Sequence, residues 1–234
     1  MIASTKLRHQ AAHLNLRVMW LMLLFFLPST LIAQRQVYVG ALGGLATLSG
    51  DGRYVVTPTS TATSLYDPGT GSAASFFGGI HLFKYASVQG NYIWNRNDVT
   101  LVSSLSNPAA FSFYQRPVRG TQNVFVVDVL VYFRERGSRI RPYLSQGGGL
   151  VHIRSRPNGN TLSGGNPSLP GVSASTFPTS RTAVGLDVRL RPTWFLRYTF
   201  GENISRNPVS AQLSPSGQRL LKNFQNLWGI YRTF

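Results

Sequence analysis

The most constraining feature of this sequence is a regular alternation of short and long connections between strand-like segments. Eight segments rich in valine and aromatic residues are joined by three short connections, KYA, RERGSRI and RP. The four long connections are rich in Gly, Pro, Ser, Thr and Asn and occupy residues 49–74, 100–120, 156–180 and 203–221. Loops of more than about 15 residues are uncommon in compact domains. In membrane β-barrels, however, short turns collect at one end and long loops at the other.

The alternation therefore predicts an all-β fold, an eight-stranded antiparallel up-and-down transmembrane β-barrel. Tilted strands of about 9–11 residues are long enough to cross a bilayer. The predicted strands are, in chain order, QVYVGALGGLATL, SFFGGIHLFK, SVQGNYIWNRN, QNVFVVDVLVYF, RPYLSQGGGLVHI, TAVGLDVRL, TWFLRYTFG and KNFQNLWGIYRTF.

Within these strands, apolar and polar side chains alternate, as they do when one face meets lipid and the other faces a lumen. In the sixth strand, Asp187 and Arg189 share the face opposite the valines and leucines, and in the seventh Arg197 lies opposite the aromatic face. In the fourth strand, Asp128 is the charged residue of the inward face. We therefore predict that the polar side chains of the lumen include Asp128, Asp187, Arg189 and Arg197.

The short RP connection also predicts a register for the sixth and seventh strands. If the chain turns about Pro192, Leu190 lies opposite Trp194 on the lipid side. The same register places Asp187 opposite Arg197 on the inner side, where directly opposed residues are close enough to form an ion pair.

The last strand is amphipathic to its end. Trp228, Ile230 and Phe234 share one face, and we expect that face to meet the bilayer. Arg232 has the same parity and would have to extend its guanidinium to the interface. A closed barrel has no free edge, so this strand is expected to pair with the first.

The beginning of the sequence predicts export. The apolar run VMWLMLLFFL is too short for a membrane-spanning helix, which needs about 20 apolar residues. Residues 1–17 before it carry three Lys or Arg residues and no acidic residue, and STLIAQ follows it. A basic region, a short apolar region and small residues make up a secretory signal peptide. We therefore expect a signal peptide at residues 1–33, cut after Ala33, and a barrel domain at residues 34–234.

The charge is strongly basic. Lys and Arg number 23 against 7 acidic residues, and because three of them lie in the predicted signal peptide, 20 remain in the rest of the chain. Such an excess suits nucleic acid or the phosphates of a membrane surface. Export argues against nucleic acid, and the basic residues are scattered over turns and loops rather than along one face, as a groove binder requires. The charge therefore favours anionic lipid head groups.

Residues that could carry catalysis, a cofactor or a metal ion are few. The chain has no cysteine, and only His81 and His152 follow the predicted signal peptide. They are too few nitrogen ligands for a typical zinc site. The runs GALGG and SQGGGL lack the lysine and the glycine spacing of a phosphate-binding loop, and glycine there is expected to relieve crowding in a narrow barrel. We predict no catalytic residue, no cofactor and no metal ligand.

Further expectations concern the strand ends and the connections. The long connections are expected to be mobile loops that tolerate insertions, for example near Gly69 or Gly164, whereas the RP turn is not expected to tolerate them. Arg134, Arg136, Arg139 and Arg141 crowd one short connection, which is expected to be a solvated turn, with a docking site as the alternative. Aromatic residues near the strand ends are expected to form the girdles that flank the apolar band of a membrane barrel. They are Tyr38, Tyr85, Trp94, Tyr132, Phe133, Tyr143, Trp194, Tyr231 and Phe234.

The segments GGIHLFKYASVQGNYIWNRND, RPYLSQGGG and GLDVRLRPTWFLRYTF, with the final phenylalanine, resemble the small outer-membrane β-barrel proteins of Gram-negative bacteria. This superfamily contains the OmpA transmembrane domain and related porin-family proteins, and the resemblance covers residues 34–234. It implies localisation in the outer membrane, contact with outer-membrane lipids including the phosphates of lipopolysaccharide, and assembly by the barrel-assembly machinery. In such proteins the last strand carries the assembly signal, which here implies Trp228, Ile230 and Phe234.

These observations predict an integral outer-membrane barrel with a structural or surface-interaction role and without enzymatic activity. The alternative is a narrow passive pore, which is disfavoured because side chains fill the interior of an eight-stranded barrel. A third possibility is an enzyme that modifies lipid A. The deacylases among such barrels have a His and a Ser two residues apart, and neither His81 nor His152 is in that arrangement.

Overall fold

The structure is a computed structural model that describes residues 36–234, and the predicted signal peptide at residues 1–33 lies outside them. Apart from the short 3₁₀ helix Ser210–Gln212, the regular structure is all β. The strands are β1 (Val37–Leu48), β2 (Asp51–Thr57), β3 (Ser60–Pro68), β4 (Thr70–His81), β5 (Ala86–Asn107), β6 (Ala110–Tyr132), β7 (Ile140–Pro157), β8 (Leu162–Gly164), β9 (Ser173–Arg189), β10 (Trp194–Arg206) and β11 (Leu220–Thr233). Within the described part of the chain, no helix is long and apolar enough to cross a membrane.

Eight of these strands form a closed antiparallel ring. Its order is β1, β4, β5, β6, β7, β9, β10 and β11, and β11 pairs back onto β1. In that closing ladder Tyr38 lies opposite Thr233 and Leu48 opposite Asn223. The ring confirms the predicted eight-stranded up-and-down barrel and the predicted pairing of the last strand with the first.

The period of two along each strand separates the lumen from the outer wall. On β6, Val124, Val126 and Leu130 are buried in the ring, whereas Val127 and Val129 on the opposite face are 59% and 51% exposed. Valine suits this arrangement because its branched side chain favours a pleated strand. The molecule is therefore lined with buried side chains and covered with apolar ones.

The first two long connections are strands, which corrects the prediction of irregular loops at residues 49–74 and 100–120. β2 and β3 form a hairpin, and β3 pairs with the far half of β5 from Thr61↔Ser106 to Pro68↔Val99. β5 and β6 continue as one ladder to Asn107↔Ala110. These segments are rich in Ser, but they also contain Thr, Val, Tyr and Phe, which favour strands. The ladder then satisfies the backbone groups that a loop would expose.

The other two long connections are less regular. Residues 158–172 contain only β8, which pairs with β6 from Phe113↔Gly164 to Gln115↔Leu162. Residues 207–219 fold inward, and Val209 and Leu213 are buried in one cluster with Leu48, Tyr66 and Leu101. This last connection therefore packs against the sheet that extends the ring, rather than standing free of it.

Side-chain hydrogen bonds fix the last connection in place. Ser64 Oγ donates to the carbonyl of Pro215 at 2.6 Å, and Ser103 Oγ donates to the carbonyl of Ser214 at 2.6 Å. From β2, Asp51 Oδ2 accepts a hydrogen bond from Ser210 Oγ at 2.6 Å. The connection forms a cover over the apolar cluster at the end of the ring opposite the short turns.

Candidate functional site: the charged lumen and the outer wall

The centre of the lumen holds a buried ion pair between neighbouring strands. Asp187 on β9 lies directly opposite Arg197 on β10, in the register expected from a turn about Pro192. Arg197 Nε donates to Asp187 Oδ1 at 2.6 Å, and Arg197 Nη2 donates to Asp187 Oδ2 at 2.8 Å. Both side chains are buried, at 0% and 1% exposure. A two-point contact of this kind is the strongest geometry for a guanidinium and a carboxylate.

Polar side chains of other strands complete the hydrogen bonding of this pair. Arg197 donates through Nη1 to Gln89 Oε1 at 2.6 Å and through Nη2 to the hydroxyl of Tyr132 at 3.1 Å. The hydroxyl of Tyr231 donates to Asp187 Oδ2 at 2.8 Å. Because breaking a buried pair leaves an uncompensated charge, the surrounding hydrogen bonds matter as much as the charges themselves.

Aromatic rings surround the Arg197 guanidinium. Its carbon lies 4.6 Å from the ring centre of Tyr231, 4.8 Å from that of Phe77 and 5.0 Å from that of Tyr143. Rings at these distances attract a cation through their negative faces. The Arg197 guanidinium is therefore enclosed by its carboxylate and by aromatic side chains.

A second ion pair is linked to the first. Asp128 on β6 accepts hydrogen bonds from Arg181 and, at 2.9 Å, from Asn91 Nδ2. Gln89 Nε2 donates to Asn91 Oδ1 at 2.6 Å, and the same Gln89 accepts from Arg197. One continuous hydrogen-bond network therefore joins the two buried carboxylates. The sequence pattern does not identify Arg181, which lies between the predicted long connection at residues 156–180 and the predicted sixth strand, whereas β9 begins eight residues earlier, at Ser173.

The structure places the four predicted lumen residues as follows. Asp128, Asp187 and Arg197 lie in the network, but Arg189 is only half-buried at the short-turn end. Its Nη2 donates to the carbonyl of Gly137, so it closes the turn between β6 and β7 instead of joining the network.

Arg141 corrects the expectation that all four arginines near residues 134–141 belong to a solvated turn. It is 1% exposed and its guanidinium lies 3.8 Å from the ring centre of Tyr132. It also lies opposite Asp187 in the β7–β9 register, but the carboxylate is bound by Arg197. Arg141 faces inward because Ile140 begins a strand, so the side chain of the next residue points to the lumen.

Four of the nine predicted girdle aromatics also face the lumen. Tyr38, Tyr132, Tyr143 and Tyr231 are buried, whereas the other members lie on the outer wall. Nearness to a strand end does not decide the direction of a side chain; the alternation along the strand does. The rings need room, and two glycines supply it: a Cβ atom at Gly79 would overlap the ring of Tyr38, and one at Gly185 would overlap that of Tyr143.

The outer face of the final strand has the expected apolar character. Trp228, Ile230 and Phe234 are exposed on the wall, and the ring of Trp228 lies 4.3 Å from that of Tyr198 on β10. The guanidinium of Arg232 lies 5.0 Å from the ring centre of Phe234. The backbone N–H of Phe234 donates to the carbonyl of Val37 at 2.9 Å, so the strand is tied to β1 up to this residue.

The lumen network packs its charged side chains in pairs. Both of its buried carboxylates, Asp128 and Asp187, are bound to arginine. His152 lies on the outer wall, where its Nδ1 is 3.0 Å from Thr176 Oγ1. Among residues 36–234, no group of three or more His, Cys, Asp or Glu side chains is arranged to hold a metal ion.

No protein-family model matches the sequence, and no curated protein matches it. Solved structures with a similar fold include Neisserial surface protein A, at 12% identity and a TM-score of 0.48 over 85% of this chain and 97% of that one. The N-terminal β-barrel domain of OprF from Pseudomonas aeruginosa has 12% identity and a TM-score of 0.44 over the same shares. The outer-membrane protease OmpT from Escherichia coli has 8% identity and a TM-score of 0.42, again over 85% and 97%. At these identities the likeness is one of fold, and it is a likeness to bacterial β-barrels.

Proposed function

We propose that this protein is an integral β-barrel of the bacterial outer membrane with a structural or surface-interaction role and without catalytic activity. The observation that carries the proposal is the distribution of side chains, with charged residues inside the barrel and apolar residues on its outer surface. Asp187 and Arg197 are buried in the lumen, while valines such as Val127 are exposed on the wall. An aqueous protein would gain nothing from this arrangement, whereas in a bilayer the apolar wall meets lipid and the closed ladder satisfies the backbone.

The height of the apolar wall suits a membrane. From Phe133, directly after β6, back to Phe125 within it, every outward residue is apolar and more than half exposed. These eight steps of about 3.3 Å along a strand tilted by about 40° span roughly 20 Å. Outer-membrane barrels have an apolar band of about 25 Å. The next outward residue is Asn123, where polar side chains begin.

The two ends of the ring support an orientation. Short turns of outer-membrane barrels face the periplasm and long connections face outside. In this orientation Trp228, Ile230 and Phe234 meet lipid near the periplasmic interface, where we propose that the barrel-assembly machinery reads them. The surface-interaction role falls to the sheet formed by β2, β3, β8 and the far halves of β5 and β6.

That sheet presents apolar side chains beyond the ring. Tyr54 and Val56 on β2, Phe111 on β6 and Leu162 on β8 are each more than half exposed. β2 is also the edge of the sheet, and an unpaired edge can add a strand from another chain. These features favour a protein partner at the cell surface for the outer end of the barrel.

Cysteine labelling tests the orientation, since the chain has no native cysteine. Val172 is exposed in a long connection and Gly137 lies in a short turn. Intact cells carrying Val172→Cys are expected to react with a membrane-impermeant maleimide, and cells carrying Gly137→Cys only after the outer membrane is opened. The reverse pattern would contradict the proposed orientation, and equal labelling in intact cells would contradict membrane insertion.

A passive pore is not favoured, because the network around Arg197 and the cluster under Val209 and Leu213 occupy the lumen at two levels. Planar-bilayer recording decides between the two roles. We expect no stable openings of porin size. Regular openings of that size would show that the protein is a passive pore.

A further inference from the structure

Four arginines cluster on the outer wall just above the apolar band. Arg96 lies on β5, Arg119 on β6, and Arg154 and Arg156 on β7. They line a groove of about 440 Å³ together with Trp94 and His152. We name these four residues the arginine cluster.

The strand register forces like charges together in this cluster. Arg119 lies directly opposite Arg156 on the neighbouring strand. Thr121, the next residue of β6 that faces outward, lies opposite Arg154. Like charges opposed across a ladder are destabilising. The acidic partner of Arg119 is Asp98 on β5, whose Oδ1 accepts from Arg119 at 3.0 Å and from Asn158, the residue after β7, at 3.1 Å. Among the described residues, Arg154 and Arg156 have no acidic partner within 4 Å, so the cluster lacks an anion between β6 and β7.

A second, mostly apolar groove lies nearer the short-turn end of the wall, where its lining includes Trp194, Arg232 and Phe234, and it meets β5 below the cluster. Gly90, Tyr92, Trp94 and Arg96 are successive outward residues of β5, and Gly78 lies beside Gly90 on β4. The two glycines lie in the lining of a depression of about 820 Å³ in the lipid-facing wall.

Tyr92 lines this depression on the side of β6. Its hydroxyl donates to Asn123 Oδ1 at 2.7 Å, and its ring lies 4.8 Å from that of Phe125, both on β6. From Gly90 to Arg96 the strand covers about 20 Å. Towards the outer end of the barrel, the surface therefore presents the apolar groove, then Trp94 and then the arginine cluster. The acyl chain, the interfacial region and the phosphate of a lipid occur in the same order.

We propose that this surface binds one phosphorylated glycolipid of the outer leaflet, its phosphate on the arginine cluster and an acyl chain in the groove at Gly78 and Gly90. Arginine suits the ligand because its guanidinium binds phosphate oxygens in pairs. The inference rests on the proposed outer-membrane function, which it deepens by assigning the lipid contact to a defined place on the wall.

Lipid binding by the detergent-extracted protein tests the cationic half of the site. Native mass spectrometry counts bound diphosphoryl lipid A, and dephosphorylated lipid A and inorganic phosphate serve as comparisons. Arg154→Gln with Arg156→Gln is expected to weaken binding of the diphosphoryl lipid by about tenfold or more, since each charge-assisted bond contributes strongly. The matched control, Arg134→Gln with Arg139→Gln, removes the same charge from an exposed turn at the other end and is expected to leave binding unchanged.

Glycine variants test the apolar half. Gly90→Leu fills the groove without a backbone clash, since the nearest atom to its Cβ is the Gly78 carbonyl oxygen at 3.9 Å. It is expected to weaken lipid binding several-fold. Gly148→Leu is the control, because Gly148 is also exposed on the wall but lies on β7, outside the groove.

Each outcome decides the inference. If the two double-arginine variants weaken lipid binding equally, the attraction is one of unspecific charge and the proposed site is wrong. If the dephosphorylated lipid binds as tightly as the diphosphoryl lipid, phosphate has no role in binding. Displacement of the lipid by millimolar inorganic phosphate would mean a simple anion site and would also overturn the lipid assignment. If no lipid binds but the protein remains an outer-membrane barrel by fractionation, this inference fails and the proposed function stands. Recovery of this protein as a soluble species would contradict both the inference and the proposed function.

Discussion

Asp187 and Arg197 face each other across the β9–β10 ladder and are joined by two hydrogen bonds of 2.6 and 2.8 Å inside the lumen. Asp98 and Arg119 face each other in the same way across the β5–β6 ladder, but on the outer wall, at 63% and 37% side-chain exposure. The chain thus contains the same cross-strand pair in two environments. The two pairs differ in burial and in contact, since two hydrogen bonds join the inner pair and one of 3.0 Å joins the outer pair.

Alanine variants of these two pairs should differ strongly in stability. Asp187→Ala or Arg197→Ala alone is expected to lower the free energy of unfolding by about 3–5 kcal/mol, because the remaining charge is buried without its partner. Asp98→Ala or Arg119→Ala should cost only about 0.2–1 kcal/mol, as exposed pairs do. Urea unfolding of the barrel in lipid vesicles measures both series.

The double variants complete the cycle. The coupling between Asp187 and Arg197 is expected to exceed about 1 kcal/mol, within the range found for residues in one network. A coupling near zero for the inner pair, or equal couplings for the two pairs, would contradict the assignment of the lumen as a low-dielectric interior.

A second prediction concerns the room that glycine leaves for the lumen tyrosines. Gly185→Ala is expected to destabilise the barrel by about 1–3 kcal/mol, because the new methyl group overlaps the ring of Tyr143 and the core must shift. Gly148→Ala is the matched control on the outer wall, where a Cβ meets only the Thr179 carbonyl oxygen at 3.6 Å. Thermal unfolding of both variants checks the difference. A variant at Gly185 as stable as the control would mean that the tyrosine ring moves aside freely.

Much of the barrel follows from local pattern, as the ladder around Pro192 illustrates. A short turn and a period of two suffice to place Asp187 opposite Arg197, since neighbouring strands are joined directly. The contact of Asp128 with Arg181 could not be predicted in this way. β6 and β9 are not neighbours in the ring, and contacts across a lumen depend on the tilt and stagger of all strands together.

Composition was a poorer guide than alternation at the outer end of the barrel. Residues 100–120 contain serine, asparagine and proline, which are common in loops. Yet Leu101 and Tyr114 continue the inward positions of β5 and β6 and are buried with Tyr66. The strands continue there because apolar side chains on one face have a surface to pack against, namely Val209 and Leu213 of the last connection.

A third prediction concerns insertions. A short Gly-Ser insertion after Gly171 is expected to leave folding intact, because this residue is exposed and nothing lies within 4 Å of its Cβ direction. A single glycine inserted before Pro192 should prevent folding, since a slip of one residue turns every side chain to the other face. The yield of folded barrel on an unheated gel measures both. Normal folding of the Pro192 variant would contradict the observed register.

The same test applied at Gly69 should give the opposite of what the sequence suggests. Its N–H donates to the carbonyl of Asp98 at 2.7 Å, and its carbonyl accepts from Asn97 Nδ2 at 3.1 Å. An insertion there would break the passage from β3 to β4, and we expect a reduced yield. Tolerance equal to that at Gly171 would show that these bonds are dispensable.

A fourth prediction concerns assembly. Phe234→Asp is expected to reduce the amount of protein inserted in the outer membrane several-fold, because a lipid-facing charge is costly and the proposed assembly signal is lost. Leu220→Asp is the control, an exposed leucine on the outward face of the same strand at its other end. Quantitative immunoblots of outer-membrane fractions measure both. Equal insertion of the two variants would argue against a special role for Phe234.

The most direct test of the proposed membrane barrel combines fractionation with gel mobility. A closed ladder of eight strands is expected to resist dodecyl sulfate until it is heated, so the unheated protein should migrate as a compact species and the boiled protein as an unfolded one. We predict that the protein is found in the outer-membrane fraction and shows this shift in mobility. Recovery as a soluble periplasmic protein, with the same mobility before and after boiling, would contradict the membrane barrel.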